Sequence, residues 1–189
     1  MLDYIVIGMV LDGALTGYDI RREIETGIGN FYKASYGSLY PALKKLADKG
    51  YLTMTEQQHG NRLKKYYTAT GLGKEAFLEW LSSPFDLSSS SDSLLARIYF
   101  FGALPQDVRK QQLQAYELHY RQVLGKLQTL EQHFSASLAD DDAYFELSTL
   151  YLGLQHLQDS LRWFRHIEAQ KPLSEFIRTD YSFERKTKA

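Results

Sequence analysis

The stretch YGSLYPALKKL, residues 36–46, decides the fold because its apolar and polar residues fall on opposite sides of one helix. Leu39, Leu43 and Leu46 recur at spacings of four and three, which predicts a helix that buries one face. Proline is tolerated only near the start of a helix, so the regular part should begin at Gly37 or Ser38. At 100° per residue, the outward face then carries four residues: Gly37, Pro41, Lys44 and Asp48.

Two further helices are predicted before this one. Residues 2–10 carry apolar side chains at helical spacing, which indicates a first helix. Thr16, followed three residues later by Asp19, is typical of a partial capping box at the start of a second helix over about 17–25.

A two-stranded hairpin and a fourth helix are predicted after it. Residues 51–56 indicate a strand in which Leu52 and Met54 should face inward, and residues 64–69 indicate its partner. Thr70 can cap a helix that runs to about Leu81. Three helices and then a hairpin form the layout of a winged helix-turn-helix, so we predict a mainly α protein whose N-terminal domain, residues 1–82, has that fold.

This layout indicates DNA binding, because a helix fits the major groove and a basic hairpin can reach neighbouring phosphates. The whole chain has a net charge of −1, but between Lys33 and Lys74 eight basic residues face two acids. For the tyrosines, core packing is the alternative role. The candidate DNA contacts are Tyr18, Lys33, Ser35, Tyr36, Gly37, Ser38, Tyr40, Lys44, Lys45, Arg62, Lys64 and Lys65.

The same segments resemble the PadR-type transcriptional regulators. The resemblance rests on LTGYDI at 15–20, YGSLYPALKKL at 36–46, KGYL at 49–52 and KYYTAT at 65–70. LLARIYFFG at 94–102 and the helix after it are similar to the larger, AphA-like C-terminal domain of one branch. The resemblance implies a dimer that binds an inverted repeat near a promoter, usually for repression, and control by a small aromatic or lipophilic effector in many relatives.

The C-terminal half is predicted to be a helical dimerisation domain over 94–170, after a Ser-rich linker at 83–93 and before a polar tail at 171–189. Two long stretches carry apolar residues at heptad spacing, which suits a coiled coil. A hairpin within one chain remains the alternative to packing between two chains. The candidate dimer contacts are Leu113, Tyr116, Tyr120, Val123, Leu127, Leu150, Leu154, Leu157, Leu161 and Phe164.

Other functions have weak support in the sequence. The chain has no cysteine, which excludes disulfides and thiol catalysis and fits a cytoplasmic protein, and its five histidines lack metal-ligand spacing. We therefore expect no enzyme activity, cofactor, metal or membrane partner. Aromatic residues make up 14% of the chain, and four of them could line an effector pocket if they are not needed for packing: Trp80, Tyr99, Tyr116 and Trp163.

Two function classes remain open. The first is a homodimeric DNA-binding regulator, with or without a small-molecule effector. The second is a winged-helix protein-interaction module that assembles through C-terminal coiled coils without touching DNA. The outward face of the helix at 36–48 discriminates, because an interaction module should expose large apolar residues there.

Overall fold

The computed structural model describes residues 1–29, 32, 36–59, 62–84, 91–134 and 141–176. Within these ranges the chain forms two compact units, Met1–Val108 and Arg109–Ala189. The elements, in chain order, are α1 (Leu2–Met9), β1 (Leu15–Thr16), α2 (Gly17–Gly27), α3 (Tyr36–Asp48), β2 (Leu52–His59), β3 (Arg62–Ala69), α4 (Gly71–Ser82), α5 (Ser91–Tyr99), a 3-10 turn (Phe101–Ala103), α6 (Gln106–Phe134), α7 (Asp141–Glu168) and a second 3-10 turn (Leu173–Glu175).

The first unit has the mainly α architecture with a small antiparallel sheet that the sequence predicts. The sheet has the strand order β1-β3-β2, and β2 pairs with β3 from Leu52 opposite Ala69 to His59 opposite Arg62. The short strand β1 is an addition to the prediction, and it pairs Leu15 with Tyr67. Through this pairing the start of α2 is held against β3.

Local capping sets the helix boundaries. The Thr16 side chain accepts a hydrogen bond from the backbone N–H of Asp19, and the Asp19 carboxylate accepts one from the backbone N–H of Thr16, which confirms the capping box. The Thr70 hydroxyl accepts from the backbone N–H of Gly73 at 3.0 Å, so the predicted cap of α4 is also confirmed. Gly50 has a φ of +72°, the left-handed conformation that ends a helix such as α3.

Two expectations about this unit are wrong. Met54 is 42% exposed, because β2 is covered on one face only near its start, where Leu52 is 2% exposed. Pro41 lies inside α3 rather than in its first turn. The residue four positions earlier is Gly37, whose carbonyl therefore has no helical N–H partner at Pro41.

The core of the first unit lies between α1, α2, α3 and α4. It contains buried apolar residues from each helix: Ile5, Val6, Ile20, Ile24, Leu39, Leu43, Leu46, Phe77 and Leu81. α1 lies at the centre of this arrangement and contacts the other three helices. The buried side of α3 is therefore fixed, and its opposite side is turned outward.

α5 packs onto α4 within the same unit. Arg97 is 2% exposed, and its guanidinium donates hydrogen bonds to the backbone carbonyls of Trp80, Leu81 and Ser83, where α4 ends. A cation near a helix C-terminus is stabilised by the exposed carbonyls and by the helix dipole. Compact unit 1 thus extends beyond the predicted linker, and the predicted domain boundaries stay a prediction.

The second unit contains α6 and α7 as an antiparallel hairpin. Glu117 of α6 accepts from Arg165 of α7 at 2.7 Å, and Gln114 donates to Glu168 at 3.0 Å. None of the helices in the described ranges is both long and apolar enough to cross a membrane. Of the predicted polar tail, only residues 171–176 lie within the described part of the chain.

Candidate nucleic-acid interface

The outward face of α3 is open to solvent. Gly37, Pro41 and Lys44 are exposed, as the helical rotation predicts, and Tyr40 between them is 60% exposed. Lys44 forms no ion pair with any residue in the described part of the chain. This face therefore offers the Lys44 ammonium group, the Tyr40 phenol and a stretch of backbone that a ligand can approach closely, with the exposed carboxylate of Asp48 at its C-terminal end.

A cleft of about 550 Å³ opens beside this face, between α3, the start of α2 and strand β3. Tyr40 forms the α3 side and is in contact with Gly17, where an added Cβ would lie 2.9 Å from the ring. Tyr18 is 67% exposed at the first turn of α2. The lining residues are Thr16, Gly17, Tyr18, Asp19, Tyr40, Lys64, Lys65 and Tyr67.

The charges around the cleft differ in how far they are already neutralised. The hydrogen bond from the Thr16 hydroxyl lowers the pKa of Asp19, and the positive charges of Arg22 and Lys64 lower it further. Lys65 pairs with Glu56 across the hairpin at 3.8 Å. Burial raises the pKa of the Tyr67 phenol, with a smaller contribution from Tyr40, so its hydroxyl remains a hydrogen-bond donor at neutral pH.

Lys45 differs from its neighbour Lys44 in orientation. Its ammonium group forms an ion pair with Asp3 of α1. The pair is partly exposed, with 48% of the Lys45 side chain and 34% of the Asp3 side chain accessible. Lys45 thus fastens α3 to α1 in the free protein, although it was predicted as a DNA contact.

The structure brings several of the predicted DNA contacts together. Tyr18, Tyr40, Lys64 and Lys65 line one cleft, with Gly37 and Lys44 on the adjoining face of α3 and Ser38 half-buried beside them. Tyr36 and Arg62 lie in α3 and β3, but nothing is described of their side chains. Lys33 and Ser35 lie outside the described residues.

Four cleft residues were missed at the level of sequence: Thr16, Gly17, Asp19 and Tyr67. Thr16 and Asp19 were interpreted only as a helix cap, and Gly17 only as the first residue of α2. The pairing of β1 with β3 brings the start of α2 close to Tyr67, and β1 is too short to be read from a pattern of alternation. The capping box beside Tyr18 was the available signal.

The candidate dimer contacts are largely engaged within one chain. Tyr116 is 1% exposed and its ring lies 6.0 Å from that of Phe164, while Tyr120 contacts the same ring at 5.0 Å. Leu113, Leu154 and Leu161 are also buried. The four others of the set are half-buried: Val123, Leu127, Leu150 and Leu157. The two rows of apolar residues at heptad spacing, one on α6 and one on α7, thus pack against each other within one chain. They form the core of the α6–α7 hairpin.

The four candidate effector residues are likewise packed against other aromatic rings. Trp80 stacks on Tyr4 with the ring centroids 4.9 Å apart and lies beneath the Arg97 guanidinium. Tyr99 is half exposed and contacts Phe100, whereas Tyr116 and Trp163 contact Phe164. Within the described residues, no group of three or more His, Asp or Glu side chains is placed to hold a metal ion.

Comparison with known proteins matches both halves of the chain. The transcriptional regulator PadR-like family matches residues 6–79, and the virulence activator alpha C-terminal family matches residues 92–170. The negative transcriptional regulator PadR of Bacillus subtilis (strain 168) is 30% identical over 178 residues, which are 89% of this chain and 96% of that protein.

Solved structures of that protein are also similar to this chain. The crystal structure of Bacillus subtilis PadR in complex with operator DNA is 27% identical, with a TM-score of 0.45, and covers 89% of this chain and 96% of its own. The structure of the same protein with p-coumaric acid has a TM-score of 0.42, with the same identity and coverage. The matched families and the relative are regulators, a class of proteins without catalytic activity.

Proposed function

Because the chain belongs to the PadR-like family of transcriptional regulators, we propose that it is a homodimeric repressor that binds an inverted-repeat operator through α3. In each copy the outward face of α3 enters the major groove, and the cleft beside it takes the DNA backbone. The C-terminal helices hold two copies so that their α3 helices face successive turns of the duplex.

The observation that carries this proposal is the composition of the outward face of α3. A docking site for another protein should expose large apolar residues. Gly37, Pro41, Lys44 and Asp48 are exposed instead, and the exposed ring of Tyr40 carries a hydroxyl group. This face suits base edges and phosphates better than it suits an apolar partner, so the DNA-binding role is favoured over that of a protein-interaction module.

The cleft supports a phosphate contact next to α3. Lys64, Tyr18 and Tyr40 line it with one ammonium and two phenol groups. The Asp19 carboxylate also lines the cleft and already occupies the N-terminus of α2 through the capping box, so we expect a phosphate to be held by Lys64 and the two phenols. Contacts from these groups to phosphate do not distinguish one DNA sequence from another. They would fix the position of the protein along the duplex.

The proposed sign of regulation and the proposed effector rest on similarity to relatives. The Bacillus subtilis relative is a negative regulator, and it is similar over nearly its whole length, so repression by occupying a promoter is the proposed mode. A small aromatic or lipophilic effector, as in many PadR-type proteins, would act by favouring one separation of the two α3 helices over another. The packing of Trp80 and Tyr116 against neighbouring rings supports structural roles for these two residues.

The test is selection of bound DNA from a random library with the purified full-length protein. We expect an inverted repeat whose half-site centres are about 34–36 Å apart, or a multiple of that distance. The affinity for the selected duplex should fall steeply with salt, because several phosphates are neutralised per dimer. A stable monomer that retains no duplex at low salt would overturn the proposal.

A further inference from the structure

A cleft of about 330 Å³ lies between the end of α6 and the start of α7. Small-molecule sites in proteins have volumes of about 300–1,000 Å³, so this cleft has room for a ligand with one ring. An apolar cavity of about 150 Å³ already binds benzene. The lining consists of five apolar residues, one acid and one alcohol: Leu127, Leu130, Phe134, Leu147, Leu150, Glu146 and Thr149.

The apolar part of the cleft has a buried floor and an open rim. Leu147 is 6% exposed and belongs to the core of the hairpin. Leu130 and Phe134 also line the cleft, yet they are 43% and 45% exposed. A ligand in the cleft would cover part of this exposed apolar surface, and the removal of apolar surface from water favours binding.

The polar residues of the cleft lie on one side of α7, because residues three apart on a helix are neighbours. Glu146 brings a carboxylate, which accepts hydrogen bonds and donates none when it is ionised. The Thr149 hydroxyl donates its proton to the backbone carbonyl of Glu146 at 2.7 Å, so it can offer a ligand only the lone pairs of its oxygen. Both side chains are therefore acceptors towards the cleft, and the polar group of a matching ligand must be a donor.

Glu146 carries the single charge of its part of α7. It is the only charged side chain among residues 143–158, and it forms no ion pair with any residue of the described ranges. Glu131 of α6, by contrast, accepts a hydrogen bond from the Tyr151 hydroxyl and does not line the cleft. A carboxylate without an ion-pair partner beside an apolar cleft fits a ligand that carries both a positive charge and an apolar group.

We infer that the cleft binds a small amphipathic cation, in which an aromatic or branched alkyl group is joined to an ammonium group by a short chain. The apolar group lies against Leu130, Phe134 and Leu147, and the ammonium group donates to the Glu146 carboxylate and to the Thr149 oxygen. A ligand with a carboxylate is disfavoured, because Glu146 would repel it. The cleft belongs wholly to the second unit, so binding there goes beyond the proposed DNA-binding function and does not depend on it.

The test uses three probes that share a phenylethyl group and differ in charge: 2-phenylethylammonium, 2-phenylethanol and 3-phenylpropionate. Ligand-observed NMR titrations of the full-length protein at constant ionic strength give the three dissociation constants. We expect the cation to bind about tenfold more tightly than the alcohol, or better, because a hydrogen bond between two charged groups is stronger than one from a neutral donor. The anion should bind more weakly than the alcohol.

Glu146→Gln should remove this preference, so that the cation and the alcohol bind within about twofold of each other. The substitution keeps the size of an exposed side chain, and circular dichroism confirms the helical content. Glu131→Gln is the matched control, because it makes the same change in the same hairpin outside the cleft, and it should keep the native preference. Leu130→Trp, at the open rim, should weaken the binding of all three probes about fivefold or more, because the larger ring takes up the space of the ligand.

Three results would overturn the cation site. They are equal affinity for the cation and the alcohol in the native chain, a preference for the cation that Glu146→Gln retains, and affinities that Leu130→Trp leaves unchanged. Each of them would leave the DNA-binding proposal standing, because the candidate DNA interface lies in the first unit. A native protein that binds the cation but retains no duplex would instead overturn the proposed function and leave the cation site standing.

Discussion

Lys44 and Lys45 are adjacent on α3, yet their side chains have different surroundings. The variant Lys44→Ala therefore tests where the DNA interface lies. Lys44 lies on the outward face without an ion-pair partner among the described residues, whereas Lys45 pairs with Asp3. If each Lys44 of the dimer neutralises one phosphate, its removal eliminates two such contacts. Each contact contributes about 0.9 to the slope of log K against log salt, so the slope should fall by about 1.8.

The assay is fluorescence anisotropy with the selected duplex between 50 and 200 mM salt. When the salt rises from 50 to 200 mM, the affinity of Lys44→Ala for the duplex should therefore fall by a factor about ten times smaller than that of the native chain, because its slope is smaller by about 1.8. Lys45→Ala is the matched control. Its slope should stay unchanged, and the free energy of unfolding should fall by at most about 1 kcal/mol, because the pair with Asp3 is partly exposed.

Two outcomes would refute this reasoning. Equal loss of slope in both variants would show that Lys45 leaves Asp3 to reach the duplex, so that the orientation in the free protein decides nothing. An unchanged slope in Lys44→Ala, with intact binding, would mean that the outward face of α3 does not meet phosphate. The DNA interface would then have to be sought elsewhere on the first unit.

Three further predictions concern stability. Gly73→Ala should lower the free energy of unfolding by about 2 kcal/mol or more in urea titrations, because an added Cβ would lie 2.1 Å from the backbone oxygen of Tyr51. Gly71→Ala is the matched control. Its added Cβ would meet nothing within 4 Å, so this substitution should be neutral or slightly stabilising. Arg97→Met should cost about 2–3 kcal/mol in the same assay, because it leaves the last carbonyls of α4 without their donor. Hydrogen bonds from Arg165 and Arg121 lower the pKa of Glu117 in the folded chain. Its contribution to the free energy of unfolding is therefore complete above about pH 4.3, the ordinary pKa of glutamate, and is lost as the pH falls through the lower folded pKa. Glu117→Gln should make the free energy of unfolding depend less on pH in this acid range, and an unchanged pH dependence would contradict the assignment.

The features that could be predicted from the sequence are those decided by near neighbours. The Thr16 cap acts on the residue three positions later, the Thr70 cap acts on Gly73, and Gly50 ends α3 through its own backbone conformation. Each cap joins a side chain to a backbone group within one helical turn, and Gly50 needs only its own backbone conformation, so the local pattern contains the whole cause. The outward face of α3 was predictable for the same reason, since one helical period fixes which residues share a side.

The features that could not be predicted depend on contacts between distant residues. Lys45 meets Asp3 across 42 positions, and although the helical period places Lys45 off the outward face that carries Lys44, it does not identify Asp3 as the partner. The cleft at the start of α2 exists because Leu15 pairs with Tyr67 in a strand of only two residues. Met54 obeys the alternation of a strand but extends past the helices that cover Leu52, and the reach of that cover is a tertiary property.

The heptad seams of α6 and α7 show where a period stops being informative. A row of apolar residues at heptad spacing shows which side of a helix is apolar, but it does not show which other helix covers that side. Only six residues separate Phe134 from Asp141, so the cost of closing the loop is small and α7 meets its own α6 first. That pairing buries Tyr116 against Phe164, with the two ring centroids 6.0 Å apart, so the apolar rows are used within one chain. Phe164→Ala should therefore lower the free energy of unfolding by about 3–5 kcal/mol at every protein concentration, as followed by circular dichroism in urea, because Phe164 is buried within its own chain. A loss that disappears as the protein concentration rises would show instead that these apolar rows meet between two chains.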